Sequence, residues 1–232
     1  MCSAQKEIMR RCLIYLFLLL PLQMVAQPVY FCTKQGTTLN YVRKYADSGE
    51  VKWYHKLKVT SVIERNDSTV VTTMSDFVDD SGESVMDFPI AQYVRISNDG
   101  AIKLELTDAV VAILHSKIPV GHAKKSGEAV ELTAGMKPGD VLPSAQAQVS
   151  MLGLKYTVNV TDRKVLRNES ITTPAGTFDC IVISEHKVER APAYKRETTA
   201  ISWYADGIGY VRHDTYNKNM VLETTEYLES VK

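Results

Sequence analysis

Apolar and polar residues alternate along most of the chain after residue 40, and this alternation constrains the fold more than any other feature. In AQAQVSM (Ala145–Met151), the alanines, the valine and the methionine share one face, and the glutamines and the serine share the other. Strict alternation of this kind predicts a half-buried β-strand. Further runs that we assign as strands lie at 40–46, 51–65, 68–78, 154–160, 178–190 and 210–216.

Turn residues separate these runs at the short spacing that is typical of hairpins. Asp99-Gly100 divides QYVRIS from AIKLEL, and Asp-Gly is a strong hairpin turn. A sheet with so many antiparallel strands cannot stay flat, because it twists and must bury one face. The pattern therefore predicts a mainly β protein: an antiparallel, strongly curved sheet or barrel-like fold with at most one or two short helices. Such folds often enclose an apolar cavity.

Two segments leave a choice open. The run TDAVVAILHS (Thr107–Ser116) fits a helix capped by Thr107 or a buried strand, and we favour the helix. The turn Pro174-Ala175-Gly176-Thr177 in TDRKVLRNESITTPAGTFDC is either a substrate loop or the bend between two strands. We predict the bend.

The N-terminus has the pattern of an export signal. Lys6, Arg10 and Arg11 precede an apolar stretch of ten residues, Leu13–Leu22, whereas a membrane-spanning helix needs about 20. We predict a secretory signal peptide over residues 1–26, cleaved near Ala26, with a retained membrane anchor as the alternative. Residues 27–232 would then form a single β domain in the periplasm or outside the cell, with no transmembrane segment.

Charge and cysteine content narrow the function further. The chain has 27 basic and 27 acidic residues and no basic stripe, which argues against nucleic acid as the main partner. Cys2 and Cys12 lie in the predicted signal, which leaves Cys32 and Cys180. An oxidising compartment permits a disulfide between them, and two buried free thiols are the alternative. Their spacing does not decide between the two, because a disulfide depends on proximity in space.

The sequence contains no motif of a known reaction. A nucleophile elbow, a zinc-protease helix, a C-x-x-C pair, a phosphate loop and a dinucleotide fingerprint are all missing. The histidines lie at no spacing typical of metal ligands; they are His55, His115, His122, His186 and His213. We therefore predict no catalytic residues, no metal and no cofactor, and leave the ligand-binding residues unassigned.

A few carboxylates and aromatic residues remain as weaker candidates. The acidic run 79–83 resembles a calcium loop in composition but lacks its spaced ligands, so we predict a charged hairpin turn. Asp179 would need Glu169 or Glu185 as a partner to act in catalysis. Each of the pairs Trp53-Tyr54 and Trp203-Tyr204 places one ring inward, which is typical of core packing and would also suit a ligand platform.

Several blocks of the sequence resemble one family. They are TDRKV…ES…PAGTFDC within 161–180, KQGTTLNYVRKYADSG at 34–49, KPGDVLP at 137–143 and WYADGIGYVR at 203–212. Together they resemble the TapB/DUF3108-like family of exported Bacteroidetes proteins. The resemblance implies a mainly β exported protein, and it implies no reaction.

Three hypotheses for function follow. The first is a non-enzymatic binding module for an apolar or amphipathic, lipid-like ligand, which requires a cavity of several hundred Å3. The second is a cell-envelope assembly or protein-interaction factor without a small ligand, which requires an exposed apolar patch or a free strand edge. The third is a hydrolase, which requires a histidine, an acid and a nucleophile in one cleft.

Overall fold

One antiparallel sheet contains all the strands of the structure. The computed structural model describes residues 27–86, 89–107, 110–111 and 123–232. Its strands are β1 (Thr38–Tyr45), β2 (Val51–Glu64), β3 (Ser68–Val78), β4 (Ile90–Ser97), β5 (Ile102–Leu104), β6 (Lys124–Gly127), β7 (Val130–Leu132), β8 (Ala145–Met151), β9 (Leu154–Thr173), β10 (Gly176–Ala191), β11 (Tyr194–Ala205), β12 (Gly209–Asn217) and β13 (Leu222–Val231). The mainly β prediction is confirmed.

The sheet consists of two meanders that meet in the middle. Its order is β6-β8-β9-β10-β11-β12-β13-β1-β2-β3-β4-β5-β7. Strands β8 to β13 form one series of hairpins and β1 to β5 the other, and β13 pairs with β1 to join them. The strand nearest the amino end and the strand nearest the carboxyl end are therefore neighbours at the centre of the sheet.

The two ends of the sheet are close to each other because consecutive strands form them. Strands β6 and β7 lie at opposite ends of the order, yet only Glu128 and Ala129 separate them in the chain. Since consecutive Cα atoms are 3.8 Å apart, this link spans at most about 11 Å. The sheet must therefore curl until its two ends lie near each other, and the predicted strong curvature is confirmed. Gly127 fits here because a Cβ atom would lie 2.3 Å from the carbonyl oxygen of Gln146 on β8.

A buried arginine joins the two ends across the inner face. Arg163 on β9 is 1% exposed. Its Nη1 donates to the carbonyl oxygens of Glu131 on β7, at 2.7 Å, and of Pro143, at 2.8 Å. Its Nε lies 3.4 Å from Oε2 of Glu185 on β10. The ladder between β9 and β10 is irregular at this point, between Ser184 and His186, and again between Val182 and Ile183.

Side chains from both meanders fill the inside of the curl. The main apolar cluster includes Tyr41, Val59 and Val94 from the first meander and Val165 and Ile183 from the second. A smaller cluster combines Val110 with valines of β8 and β9. Of the segment predicted as a helix, Thr107, Val110 and Val111 are helical, and its other residues lie outside the described part, as do residues 1–26. No helix in the described ranges is long and apolar enough to cross a membrane.

The glycine turn in 161–180 is the bend of a hairpin. Pro174 and Ala175 form a two-residue turn between β9 and β10, and Thr173 pairs with Gly176. Thr173 Oγ1 accepts a hydrogen bond from the amide of Ala175 at 3.2 Å. The predicted bend is therefore confirmed.

We expect Arg163→Met to lower the free energy of unfolding by about 3–5 kcal/mol, the cost of removing one partner from a buried charged network. The methionine fills similar space but donates to neither carbonyl and leaves Glu185 without its partner. Urea unfolding followed by circular dichroism measures the change.

Arg167→Ala is the matched control on the same strand. Arg167 pairs with Glu169 at 2.7 Å, but its side chain is 48% exposed, so its loss should cost less than about 1 kcal/mol. Equal costs for the two variants would contradict the role given to Arg163.

Candidate functional site

A cavity of about 280 Å3 lies on the inner face of the curled sheet. Most of its wall is apolar or aromatic and includes Leu39, Leu57, Leu104, Leu132, Tyr204 and Ile208. These side chains come from β1, β2, β5, β7, β11 and the turn before β12, so both meanders contribute. The volume is just below the range of about 300–1,000 Å3 that is typical of small-molecule sites.

The segment before β1 forms one side of the cavity. Tyr30, Phe31 and Cys32 line it. The turn between β11 and β12 holds this segment in place: the amide of Val29 donates to Oδ1 of Asp206 at 2.7 Å, and the amide of Gly207 donates to the carbonyl oxygen of Val29 at 2.8 Å. The WYADGIGYVR block thus positions a wall of the cavity through its turn.

A buried ion pair forms the polar side of the cavity. Arg43 on β1 and Glu226 on β13 both line it, and Nη2 of Arg43 lies 3.0 Å from Oε2 of Glu226. The side chain of Glu226 is only 5% exposed and that of Arg43 only 15%. Trp53 Nε1 donates to the other carboxylate oxygen at 3.4 Å. The pair therefore sits at the junction of the two meanders, where β13 meets β1.

One N–H group of Arg43 has no hydrogen-bond partner among the described residues. This group, at Nε, is buried. The guanidinium also packs over the ring of Trp53, 5.0 Å from its centroid. A buried N–H without a partner is costly.

A stack of four rings supports the ion pair. Tyr210, Tyr41, His55 and Phe77 follow one another with centroid distances of 4.7, 5.2 and 4.3 Å. His55 Nδ1 lies 3.4 Å from Oε1 of Glu226. Burial alone would raise the pKa of Glu226, but the hydrogen bond with His55 and the charge of Arg43 outweigh burial and hold its pKa well below the ordinary value.

A register shift between β11 and β12 brings His213 to the cavity wall. The shift falls between Trp203 and Tyr204, so Tyr210 and His213, three residues apart, both line the wall. His213 Nδ1 lies 2.8 Å from Oγ of Ser202. Burial, and next the charge of Arg43, lower the pKa of His213 to about 3. His213 is therefore uncharged at neutral pH.

Ser75, His55 and Glu226 form a chain with the order of a hydrolase triad. Ser75 Oγ lies 3.0 Å from His55 Nε2, and His55 contacts Glu226 on its other side. A working triad also needs substrate access and donors for an oxyanion. Ser75 and His55 are buried, at 7% and 6% exposure, and neither lines the cavity. Ser75 lies within β3 and pairs with both β2 and β4. We interpret the chain as a network that orients Glu226.

Cys32 and Cys180 are buried free thiols in the structure. Cys180 Sγ donates to the carbonyl oxygen of Phe178 at 3.5 Å. Burial, and next the charge of Asp179, raise the pKa of Cys180 to about 11, so this thiol stays protonated at neutral pH. The disulfide between Cys32 and Cys180 stays a prediction.

The candidate carboxylates separate into different places. Asp179 and Glu169 line a second cleft, outside the cavity wall, together with Cys180 and Asp206. Glu169 is occupied there, because it accepts a hydrogen bond from Trp203 Nε1 at 2.7 Å. Glu185 instead lines the cavity. The structure therefore does not bring Glu185 together with the other two.

The remaining candidates have structural contacts. Asp79 Oδ1 accepts bonds from the amides of Ser81 and Glu83, which makes 79–83 a turn as predicted. His186 pairs with Glu197 at 3.3 Å. His115 and His122 lie outside the described residues. In the described part of the chain, no three His, Cys, Asp or Glu side chains converge as metal ligands would.

Arg43 and Glu226 were missed by the sequence analysis, although a signal for both exists. In TLNYVRKY, alternation places Arg43 on the face of Leu39 and Tyr41, and in LETTEYLESV it places Glu226 on the face of Leu228. Leu39, Tyr41 and Leu228 are all buried. One opposite charge on the apolar face of each of two strands is a signal for a buried ion pair.

Residues 34–228 match the model of one family, described as DUF3108-like. The chain belongs to this family. The predicted resemblance to the DUF3108-like family is confirmed, and the resemblance to TapB stays a prediction. No curated protein matches the sequence.

Two solved structures are similar to this one. The first is the crystal structure of a candidate exported protein with a YmcC-like fold from Bacteroides fragilis, with a TM-score of 0.72 and 21% identity over 88% of this chain and 99% of that one. The second is a candidate lipoprotein from Parabacteroides distasonis, with a TM-score of 0.72 and 20% identity over the same shares. At this identity the likeness shows a shared fold.

We expect acid to destabilise the protein through His213. The ordinary pKa of histidine is 6.5 and that of folded His213 is about 3, so between these values only the unfolded chain takes up the proton. The free energy of unfolding should then fall with pH by up to about 1.4 kcal/mol per pH unit. His213→Asn, which keeps a polar atom near Ser202, should make this slope shallower between pH 6.5 and about pH 5.

Urea titrations at a series of pH values measure the slope. The nearby charges of Arg43, Lys187 and Glu226 stay in place in this variant. His186→Asn, which changes a partly exposed histidine, serves as the control and should not make the slope shallower. An unchanged slope in His213→Asn would contradict the uncharged state of this histidine.

Proposed function

We propose that the protein is an exported, non-enzymatic binding module for a small amphipathic ligand. The single observation that carries the proposal is the cavity of about 280 Å3 on the inner face of the sheet. It combines a mainly apolar wall with a few polar groups on one side, which is the usual composition of a ligand site. Arg43, Glu226 and Gln92 line the cavity and supply polar groups for the head of a ligand.

Export supports the same proposal. The basic and apolar pattern of residues 1–26 is typical of a secretory signal, and two proteins with the same fold are described as a candidate exported protein and a candidate lipoprotein. We therefore place the protein in the periplasm or outside the cell. A binding module there would carry or sense a compound of the cell envelope or its surroundings.

Native mass spectrometry of the protein, purified from cells that export it, tests the proposal. We expect an adduct of a few hundred daltons or less that is released on denaturation and identified as an amphipathic compound. A mass equal to that of the bare chain, together with no binding of added amphiphiles, would overturn the proposal. The hypothesis of a protein-interaction factor would then take its place.

A pair of variants links any adduct to the cavity. Leu104→Trp places an indole in the cavity wall and should abolish the adduct. Val141→Trp adds the same ring at a site that is 79% exposed and outside the cavity, so the adduct should remain. Loss of the adduct in both variants, or in neither, would argue against the cavity as the binding site.

A further inference from the structure

The charges around the cavity cancel in pairs. Three charged side chains line it: Arg43, Glu185 and Glu226. Arg43 pairs with Glu226 at 3.0 Å, and Glu185 pairs with the buried Arg163 at 3.4 Å. His213 adds no charge at neutral pH. A ligand that enters therefore meets donors and acceptors, but no net charge to neutralise its own.

The ionised head group of a ligand would lose its hydration in the cavity without gaining an opposite charge there. Moving a carboxylate or an ammonium group out of water costs several kcal/mol unless an opposite charge receives it. Arg43 and Arg163 already have carboxylate partners. A neutral polar group needs only a hydrogen bond, and the uncharged side chains of Gln92 and Ser202 lie in the cavity wall.

We infer that the cavity selects ligands whose polar group is uncharged, such as an alcohol or an amide on a short aliphatic body. This inference rests on the proposed function and names the class of ligand. The cavity volume of about 280 Å3 is about nine times the share of one water molecule in the liquid. A body of about eight carbons with one polar group is of matching size.

Three ligands with eight carbons each and head groups of different charge test the inference. Octan-1-ol is neutral, octanoate is an anion and octylammonium is a cation at neutral pH. Isothermal titration calorimetry gives the Kd of each for the full-length exported protein. We expect octan-1-ol to bind at least about tenfold more tightly than either ion, because an unpaired buried charge costs more than the corresponding 1.4 kcal/mol.

Two variants should reverse the preference by unbalancing the ion pair. Glu226→Gln keeps the shape of the side chain but leaves Arg43 without a counter-charge, so octanoate should gain at least about tenfold in affinity. Arg43→Met leaves Glu226 unpaired, so octylammonium should gain instead.

Glu223→Gln is the matched control. Glu223 lies on the same strand as Glu226, and its partner Arg196 is 2.7 Å away at the surface, with side chains that are 35% and 39% exposed. The same loss of one negative charge there should leave all three affinities unchanged. Near-ultraviolet circular dichroism verifies that each variant folds, and the ranking on the unmodified protein decides the question if a variant does not.

The outcomes separate the two proposals. If octanoate or octylammonium binds the unmodified protein as tightly as octan-1-ol, the selection for neutral ligands is wrong while the binding function stands. If none of the three binds, the inference fails together with the proposed function. An unchanged octanoate affinity in folded Glu226→Gln would show that the ion pair does not set the charge preference.

Discussion

A link of two residues between the ends of the sheet requires the sheet to curl. Glu128 and Ala129 carry the chain from one end of the sheet to the other, so the sheet has to curl, and its inner face becomes an interior. Arg163 connects the two ends of the sheet on its inner face, because its guanidinium donates to backbone carbonyls near both ends. This buried cation needs a carboxylate, and Glu185 supplies it at the cavity wall. The curl of the sheet, the hydrogen bonds of Arg163 and the charge balance of the cavity therefore depend on one another.

The polar side of the cavity depends on the same geometry. Arg43 and Glu226 face each other because β13 pairs with β1, with Arg43 directly opposite Glu226 in the register. Stacked rings from β1, β2, β3 and β12 lie beside the pair, whose side chains are only 15% and 5% exposed. A low dielectric strengthens the attraction and also raises the cost of any unpaired charge. That cost is what makes such a site sensitive to the charge of its contents.

Much of the architecture follows from the sequence, while the site does not. The alternation in segments such as Ala145–Met151 predicts the strands and their buried faces, and the bend at Pro174-Ala175 follows from local turn chemistry. The pairing of β13 with β1 and the separation of β6 from β7 are contacts between distant parts of the chain, which periodicity does not encode. Arg43, Glu226 and His213 come together only through those contacts and through the register shift that places His213 inward. The disulfide between Cys32 and Cys180 stays open for the same reason, since it too depends on distance in space.

The central pairing of β1 with β13 also has a consequence for the order of folding. Each meander can form from local hairpins, but the ladder that joins them needs Leu222–Val231, near the carboxyl end of the chain. Non-local pairings of this kind close late and slowly, because the entropy of a long loop must be lost first. Until then β1 and β13 present open edges, which are sites for aggregation or for a chaperone. A chain that must cross a membrane unfolded would benefit from this delay, because its final contact cannot form before the last strand has arrived.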